Sequence, residues 1–192
     1  MSVPQIYLIS PPKIEDINIF AKQLEEIFSL HEKPGMFQLR LKDCSENQIE
    51  EVILKIKPLC NHYAVPFILN DNISLALKYG IGVHVGGKDA SLEDVLSFKQ
   101  QSRNIIGVSC YNSLERAKTF AGHVTYVSFG AMFPSKTKES AKLCHKETVV
   151  EFAKTHKTPI SIIGGITTQN LHEISDILPF TSFVCVISCV WQ

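Results

Sequence analysis

The chain has 192 residues, enough for one domain with a substantial core, and no shift in composition marks a second. Its 19 lysines and arginines balance 19 aspartates and glutamates, so no polyanion-binding surface is indicated and nucleic acid is not an expected partner. The opening MSVPQIYLIS lacks a basic leader and a long apolar run, so we expect neither a signal peptide nor a membrane span.

The cysteines lie far apart or within apolar runs, and no CxxC pair occurs. This spacing favours reduced, mostly buried thiols in a cytoplasmic protein over a disulfide framework or a zinc site. The residues concerned are Cys44, Cys60, Cys110, Cys144, Cys185 and Cys189.

Short apolar runs alternate with longer amphipathic stretches along the chain. Strands are predicted at 5–10, 36–41, 66–69, 82–85, 105–109, 124–129, 159–163 and 183–188. Amphipathic helices are predicted at 14–30, 46–63, 92–101, 114–121, 146–156 and 168–178. Such alternation favours a parallel α/β sheet, and eight units favour a compact (β/α)₈ TIM barrel over residues 1–192. Its final helix would be missing or very short, and an open Rossmann-like sheet is the second choice.

The second predicted strand carries charge on one face. In FQLRLKD, residues 37–43, the apolar side chains of Phe37, Leu39 and Leu41 alternate with the polar ones of Gln38, Arg40 and Lys42. A solvated edge strand would explain this pattern by itself. In a barrel, however, the apolar face packs against the helices and the polar face lines the interior.

Polar residues also follow most of the other predicted strands. Loops after barrel strands commonly hold the chemistry, and carboxylates, cations and glycine-rich loops together suit a phosphorylated substrate with Mg²⁺. The segments are Asn70–Asp71, Gly86–Asp89, Ser109, Pro134–Lys138, Gly164–Gly165 and Ile187–Ser188.

Each segment also has a purely structural interpretation. Asn70 or Asp71 could cap the helix after the third strand, and Asp89 could begin the helix at Ser91. The SKTK run could be a solvated loop, and GGIT an ordinary turn with Thr167 or Thr168 as the cap. His84, within a strand, is interpreted as structural and not catalytic.

These segments resemble thiamine phosphate synthases, in order and at the family's spacing. The resemblance rests on FQLRLK (37–42), ILND (68–71), GVHVG (82–86) with Asp89, GVS (107–109), FG through PSKTK (129–138), IGGIT (163–167) and IS (187–188). It implies a (β/α)₈ barrel that joins hydroxymethylpyrimidine diphosphate to a thiazole phosphate, giving thiamine phosphate and pyrophosphate with Mg²⁺ required.

The resemblance also implies a role for each matched residue. The pyrimidine diphosphate would be held by Gln38, Arg40, Lys42, Asn70, Ser109 and Lys138, of which Arg40, Lys42, Ser109 and Lys138 also serve catalysis. The thiazole phosphate would be held by Ser135, Lys136, Thr137, Gly165, Ile187 and Ser188. Asp71 and Asp89 would bind the magnesium ion. The expected partners are small phosphorylated substrates, with a homo-oligomer left open.

The chain departs from the family pattern beside the expected metal site. Asn72 stands where an arginine is usual, and Gly87 and Lys88 replace a glutamine and an acid. Two alternatives therefore stay open. One is a thiazole tautomerase, in which the diphosphate-handling residues would be largely replaced and a histidine would stand near Tyr111. The other is a non-catalytic protein that binds a thiamine precursor.

Overall fold

The eight predicted strands close into a parallel barrel. The computed structural model describes residues 3–86, 90–134 and 142–191, and within them each strand pairs with the next along the chain. The barrel closes because β1 (Gln5–Ile9) also pairs with β8 (Phe183–Val186), with Tyr7 opposite Cys185. The predicted (β/α)₈ barrel is confirmed, and the open Rossmann-like alternative is wrong.

The remaining elements follow the predicted alternation closely. The other strands are β2 (Met36–Leu39), β3 (Phe67–Asn70), β4 (Gly82–Val85), β5 (Ile106–Tyr111), β6 (Tyr126–Gly130) and β7 (Ile160–Ile163). The α-helices in the described ranges are α1 (Ile17–Phe28), α2 (Glu46–His62), α3 (Ile73–Tyr79), α4 (Leu92–Gln101), α5 (Leu114–Phe120) and α6 (Lys146–Thr155).

Side-chain caps set where most of these helices begin. Ser45 accepts a hydrogen bond from the Gln48 amide while the Gln48 side chain accepts one from the Ser45 amide, which forms a capping box at α2. Ser91 and Asp94 repeat this arrangement at α4. The buried residues of α1 recur every four positions (Phe20, Leu24 and Phe28), so one stripe of the helix faces the sheet.

The two faces of the barrel strands have different neighbours. Phe37 and Leu39 of β2 lie in the large apolar layer between strands and helices, and Leu41 packs against it. The intervening Gln38 is buried inside the barrel, where it meets Tyr7. The prediction that the polar face of this strand looks inward is therefore confirmed for Gln38.

One helix prediction is wrong. The segment predicted as an α-helix at 168–178 instead forms two short 3₁₀ helices, Leu171–Ile174 and Leu178–Phe180. Leu171, Ile174 and Ile177 recur every three residues, the period that places side chains in line on a 3₁₀ helix. Pro179 also disfavours an α-helical conformation at the residue before it.

After β8, the described residues up to 191 form a turn and no helix, in line with the prediction. In the ranges that the structure covers, no helix has the length and apolar character needed to span a bilayer. Four of the cysteines are buried, so the prediction of mostly buried thiols is confirmed.

Candidate active site

A continuous chain of hydrogen bonds crosses the barrel interior. Gln38 Nε2 donates to the Tyr7 hydroxyl at 2.7 Å, and that hydroxyl lies 2.7 Å from the Tyr126 hydroxyl. The Tyr126 hydroxyl is 2.8 Å from His84 Nδ1, and His84 Nε2 is 2.9 Å from Ser109 Oγ. Two residues predicted to bind the pyrimidine, Gln38 and Ser109, are thus the two ends of one buried network, which we call the interior chain.

All the inner members of the interior chain are uncharged. Burial, and secondarily the nearby Arg40 guanidinium, lower the pKa of His84 from 6.5 to about 4. Burial raises the pKa of both Tyr7 and Tyr126 above the ordinary tyrosine value. At neutral pH the network is therefore a set of neutral donors and acceptors, and both ring nitrogens of His84 are engaged within it.

A glycine makes room for the interior chain. A Cβ atom on Gly107 of β5 would lie 2.0 Å from Cζ of Tyr126, so a larger residue there would displace the tyrosine ring. The ring of Tyr126 also stacks on His84, with centroids 5.6 Å apart and planes 18° from parallel. These contacts hold the two side chains in one orientation.

The predicted cations follow β2 at the carboxyl-terminal rim. Arg40 is half-buried, its amide donates to Ser10 Oγ at 2.9 Å, and its charge is felt by His84. The Lys42 amide donates to the Pro12 carbonyl, and this residue is exposed. Arg40 therefore lies close enough to His84 to act on it electrostatically, and Lys42 is more exposed to solvent.

The carboxylate predicted as a metal ligand lies at the end of β3. Asp71 is exposed, and its Oδ1 accepts a hydrogen bond from the Gly86 amide at 3.2 Å. Asn70 Nδ2 donates to Asp71 Oδ2. Asp71 has a φ of 64°, in the left-handed region that aspartate tolerates better than most residues.

Neither Asn70 nor Asp71 caps the following helix. Asn72 does so, because its Oδ1 accepts a hydrogen bond from the Leu75 amide at 2.9 Å. The capping interpretation of Asn70 and Asp71 is therefore wrong, and both side chains stand at the rim. Ser91 likewise caps α4.

The predicted thiazole phosphate site is described only in part. Gly165 has a φ of 65°, and a Cβ atom there would lie 2.6 Å from the Pro134 carbonyl oxygen. Only glycine therefore fits beside Pro134, which follows β6. Asn170 Nδ2 donates to the Gly165 carbonyl, and Asn170 Oδ1 accepts from the Thr167 amide, so Asn170 stabilises the turn after β7. Asn170, and neither Thr167 nor Thr168, is the residue that precedes the first 3₁₀ helix. Ile187 and the exposed Ser188 follow β8 at the same rim.

Several predicted residues lie outside the described ranges. They are Gly87, Lys88, Asp89, Ser135, Lys136, Thr137 and Lys138. Their roles stay predictions.

The structure adds three residues that the sequence analysis missed. Tyr7 and Tyr126 form the middle of the interior chain. Arg116 of α5 donates through Nε to the Ser109 carbonyl at 2.9 Å and through Nη2 to the Gly86 carbonyl at 3.2 Å, and so ties the ends of β4 and β5 together. The alternation of side chains along β1 and β6 could have indicated that the two tyrosines point inward. Nothing in the sequence around Arg116 indicated its contacts with the two carbonyls.

Comparison with known proteins identifies the family. The family model described as thiamine monophosphate synthase matches residues 6–190. The chain belongs to this family. A thiamine-phosphate synthase from Pelagibacter ubique is 36% identical, with the match covering 97% of this chain and 88% of the relative. One from Methylococcus capsulatus is 40% identical over 88% of this chain and 75% of its own.

A solved structure agrees with this membership. Thiamine phosphate pyrophosphorylase from Pyrococcus furiosus superposes with a TM-score of 0.76 at 26% identity, covering 96% of this chain and 85% of the other. The resemblance inferred from the sequence motifs is confirmed.

Proposed function

We propose that this protein is a thiamine phosphate synthase, which condenses hydroxymethylpyrimidine diphosphate with thiazole phosphate and releases pyrophosphate. Membership of the thiamine monophosphate synthase family supports this function directly. The observation in the site that carries it is the interior chain, which ends on Gln38 and Ser109 beneath a rim bearing Arg40, Asn70 and Asp71. The polar groups at the ends of the interior chain suit a heteroaromatic ring, and the charged residues at the rim suit its diphosphate.

The reaction places few demands on acid–base chemistry. The bond between the pyrimidine methylene carbon and the diphosphate oxygen breaks, and its electron pair leaves with pyrophosphate. The thiazole nitrogen then donates its lone pair to the electron-deficient methylene carbon. Catalysis requires that the leaving group's charge be stabilised, that water be kept away and that the two substrates be aligned.

We assign these tasks to the residues at the rim. Arg40, with Lys42 and Lys138, stabilises the diphosphate, and charge-assisted hydrogen bonds make such contacts strong. Asn70 binds the same substrate, and Gln38 and Ser109 bind its ring. Both ring nitrogens of His84 are engaged by the Tyr126 and Ser109 hydroxyls, so we assign it no direct role in the reaction.

The thiazole phosphate is assigned to the opposite part of the rim. Ser135, Lys136 and Thr137, together with Gly165, Ile187 and Ser188, follow the late strands, where barrels commonly build phosphate sites. Close packing of Gly165 under Pro134 supports this assignment, because it brings the loop after β6 onto the turn after β7.

The donor set at the end of β3 suits a magnesium ion. Asp71 is an exposed carboxylate at the rim, and its hydrogen bond to the Gly86 amide joins the end of β3 to the residue after β4. Hard Mg²⁺ takes one or two carboxylates and completes its shell with phosphate oxygens and water. Asp71 and Asp89 would hold the ion, which would neutralise charge on the departing pyrophosphate.

Incubation with both substrates and Mg²⁺ tests the function. We expect thiamine phosphate and pyrophosphate to form in equal amounts. Isomerisation of the thiazole alone would indicate a tautomerase, and binding of both substrates without turnover would indicate a non-catalytic binding protein. Either result would overturn the proposal.

Asp71→Asn tests the metal site. We expect kcat to fall sharply and the Mg²⁺ concentration for half activity to rise, while thiazole phosphate still binds. Asp16→Asn is the matched control, because Asp16 is a true helix cap that accepts from the Asn18 and Ile19 amides. Asparagine caps about as well as aspartate, so that control should keep full activity. Unchanged magnesium dependence in Asp71→Asn would contradict the assignment.

A further inference from the structure

The interior chain has a direction, which follows from counting protons. Gln38 Nε2 is a donor only, so the Tyr7 hydroxyl accepts from it. The single proton of Tyr7 is then available for the Tyr126 hydroxyl, 2.7 Å away. Tyr126 accepts this bond and donates its own proton to His84 Nδ1 at 2.8 Å.

The same count determines the state of the last two groups. Because Nδ1 accepts the Tyr126 proton, it carries none of its own, and the ring proton is on Nε2. Nε2 therefore donates to Ser109 Oγ at 2.9 Å. The Ser109 hydroxyl then has an accepted bond from below and its own proton free to donate above. At the other end, an amide whose Nε2 is held by Tyr7 presents Oε1 as an acceptor.

We propose that Tyr7, Tyr126 and His84 are positioning residues that set the polarity of the pyrimidine site, with Ser109 as a donor and Gln38 Oε1 as an acceptor. This inference rests on the proposed function, in which both residues bind the pyrimidine. It adds a reason for substrate choice. The amino group of an aminopyrimidine can donate to Gln38 Oε1 while a ring nitrogen accepts from Ser109. In the corresponding pyrimidinone, bound in the same orientation, a carbonyl oxygen would face Gln38 Oε1 and a ring N–H would face the Ser109 donor.

Burial makes this polarity difficult to reverse. Tyr7 and Tyr126 are 1% and 0% exposed, so their hydroxyls have no access to bulk water with which to exchange partners. Reversing one link would leave two donors or two acceptors facing each other, and a buried polar group without a partner is strongly unfavourable. All the links must therefore reverse together or not at all.

Nitrogen NMR of the free protein tests the direction without any turnover. With ¹⁵N-labelled histidine, we expect His84 to carry its proton on Nε2 at neutral pH. A proton on Nδ1 would overturn the proposal, because the chain would then run from Ser109 toward Gln38. This measurement stands even if the protein does not condense the two substrates, so failure of the proposed function can be told apart from failure of this inference.

Tyr126→Phe breaks the chain at its centre. We expect the His84 ring proton to redistribute between the two nitrogens and the KM for the pyrimidine diphosphate to rise about five- to tenfold. The KM for thiazole phosphate should stay unchanged. Discrimination against the pyrimidinone analogue should fall by a similar factor, because Ser109 becomes free to accept.

The matched control is Tyr63→Phe, which removes a phenolic hydroxyl at the end of α2 in the outer layer. It should leave the histidine signal, both KM values and the discrimination unchanged. Equal loss of affinity for both substrates in Tyr126→Phe, or unaltered discrimination with a normal fold, would count against a positioning role.

Discussion

The outer and inner faces of the barrel strands differ in how they are held together. The outer face is a continuous apolar layer in which Phe37 lies among the rings of Phe20, Phe28 and Phe67. The inner face has a smaller apolar group, including Met36 and Ile68, crossed by the interior chain. The outer layer stabilises by buried area, which is non-directional. The inner face depends on hydrogen-bond geometry, which is directional.

This difference separates stability from specificity. Apolar side chains of similar volume can replace one another in an outer layer at modest cost. The inner members of the interior chain have no such substitute, because each has one hydrogen-bond partner on either side. We therefore expect outer-layer variants to change the free energy of unfolding and interior variants to change substrate choice.

The largest effect is expected from Phe37→Ala. This side chain is fully buried, with ring centroids 5.6 Å from Phe67 and 6.1 Å from Phe28. The free energy of unfolding should fall by about 3–5 kcal/mol, measured by urea denaturation. Leu54→Ala, at a position that is 62% exposed on α2, should change it by less than about 0.5 kcal/mol. Equal effects from the two variants would show that the outer layer does not carry the stability.

A second prediction concerns His84 and pH. In the folded protein burial lowers its pKa from 6.5 to about 4, so between these values the unfolded chain binds the additional proton. Stability should therefore fall as pH falls from 6.5 toward 4, by a total on the order of 3 kcal/mol. Urea titrations at several pH values measure this, and His84→Gln should lose that component.

The exposed His62 provides the comparison for this experiment. His62→Gln should keep the same pH dependence as the unmodified protein. A wild-type slope in His84→Gln would mean that other groups cause the acid sensitivity.

A third prediction concerns the rim above the interior chain. Arg40→Ala should weaken binding of the pyrimidine diphosphate by about 1.5–3 kcal/mol, because a charge-assisted contact to phosphate is lost. Lys42→Ala should act in the same direction. Affinity for thiazole phosphate should be largely kept, as measured by separate KM values.

Arg103→Ala is the control for Arg40→Ala. Arg103 is an exposed arginine between α4 and β5, at the opposite end of the barrel. It should leave both KM values unchanged. If Arg40→Ala weakened the binding of both substrates equally, the charge of Arg40 would not act specifically on the diphosphate.

The smallest effect is expected from Ser188→Ala. Its hydroxyl is one of several donors assigned to the thiazole phosphate, so the KM for that substrate should rise by only about two- to tenfold. The KM for the pyrimidine diphosphate should not change. Ser97→Ala, on the solvent side of α4, should have no effect on either value. A change confined to the KM for the pyrimidine diphosphate would refute the assignment of Ser188 to the thiazole phosphate site.

The fold was predictable because its signals are local. The alternation of strand and helix along the chain, and the alternation of side chains in FQLRLKD, depend only on neighbouring residues. The segment at 168–178 was misassigned because apolar residues at a spacing of three are compatible with both an α-helix and a 3₁₀ helix.

The motifs predicted that Asn70, Asp71 and Ser109 lie at or near the ends of their strands, but not which groups they contact. Asn70 and Asp71 could each have been helix caps, and only the structure shows that Asn72 takes that role. Arg116 meets the carbonyls of Ser109 and Gly86 because α5 packs beside β4 and β5, which no spacing in the sequence reveals.

The sequence by itself determined the strand order and the inward face of Gln38, because these follow from local periodicity and from the pairing of consecutive parallel strands. Only the tertiary structure decided that Tyr7 meets Tyr126, 119 positions away, and that Gln38 and Ser109 end one interior chain. Such bonds form when barrel closure and strand register bring hydroxyls and ring nitrogens within 3 Å or so, about the length of a hydrogen bond. Closure is a property of all eight strands at once.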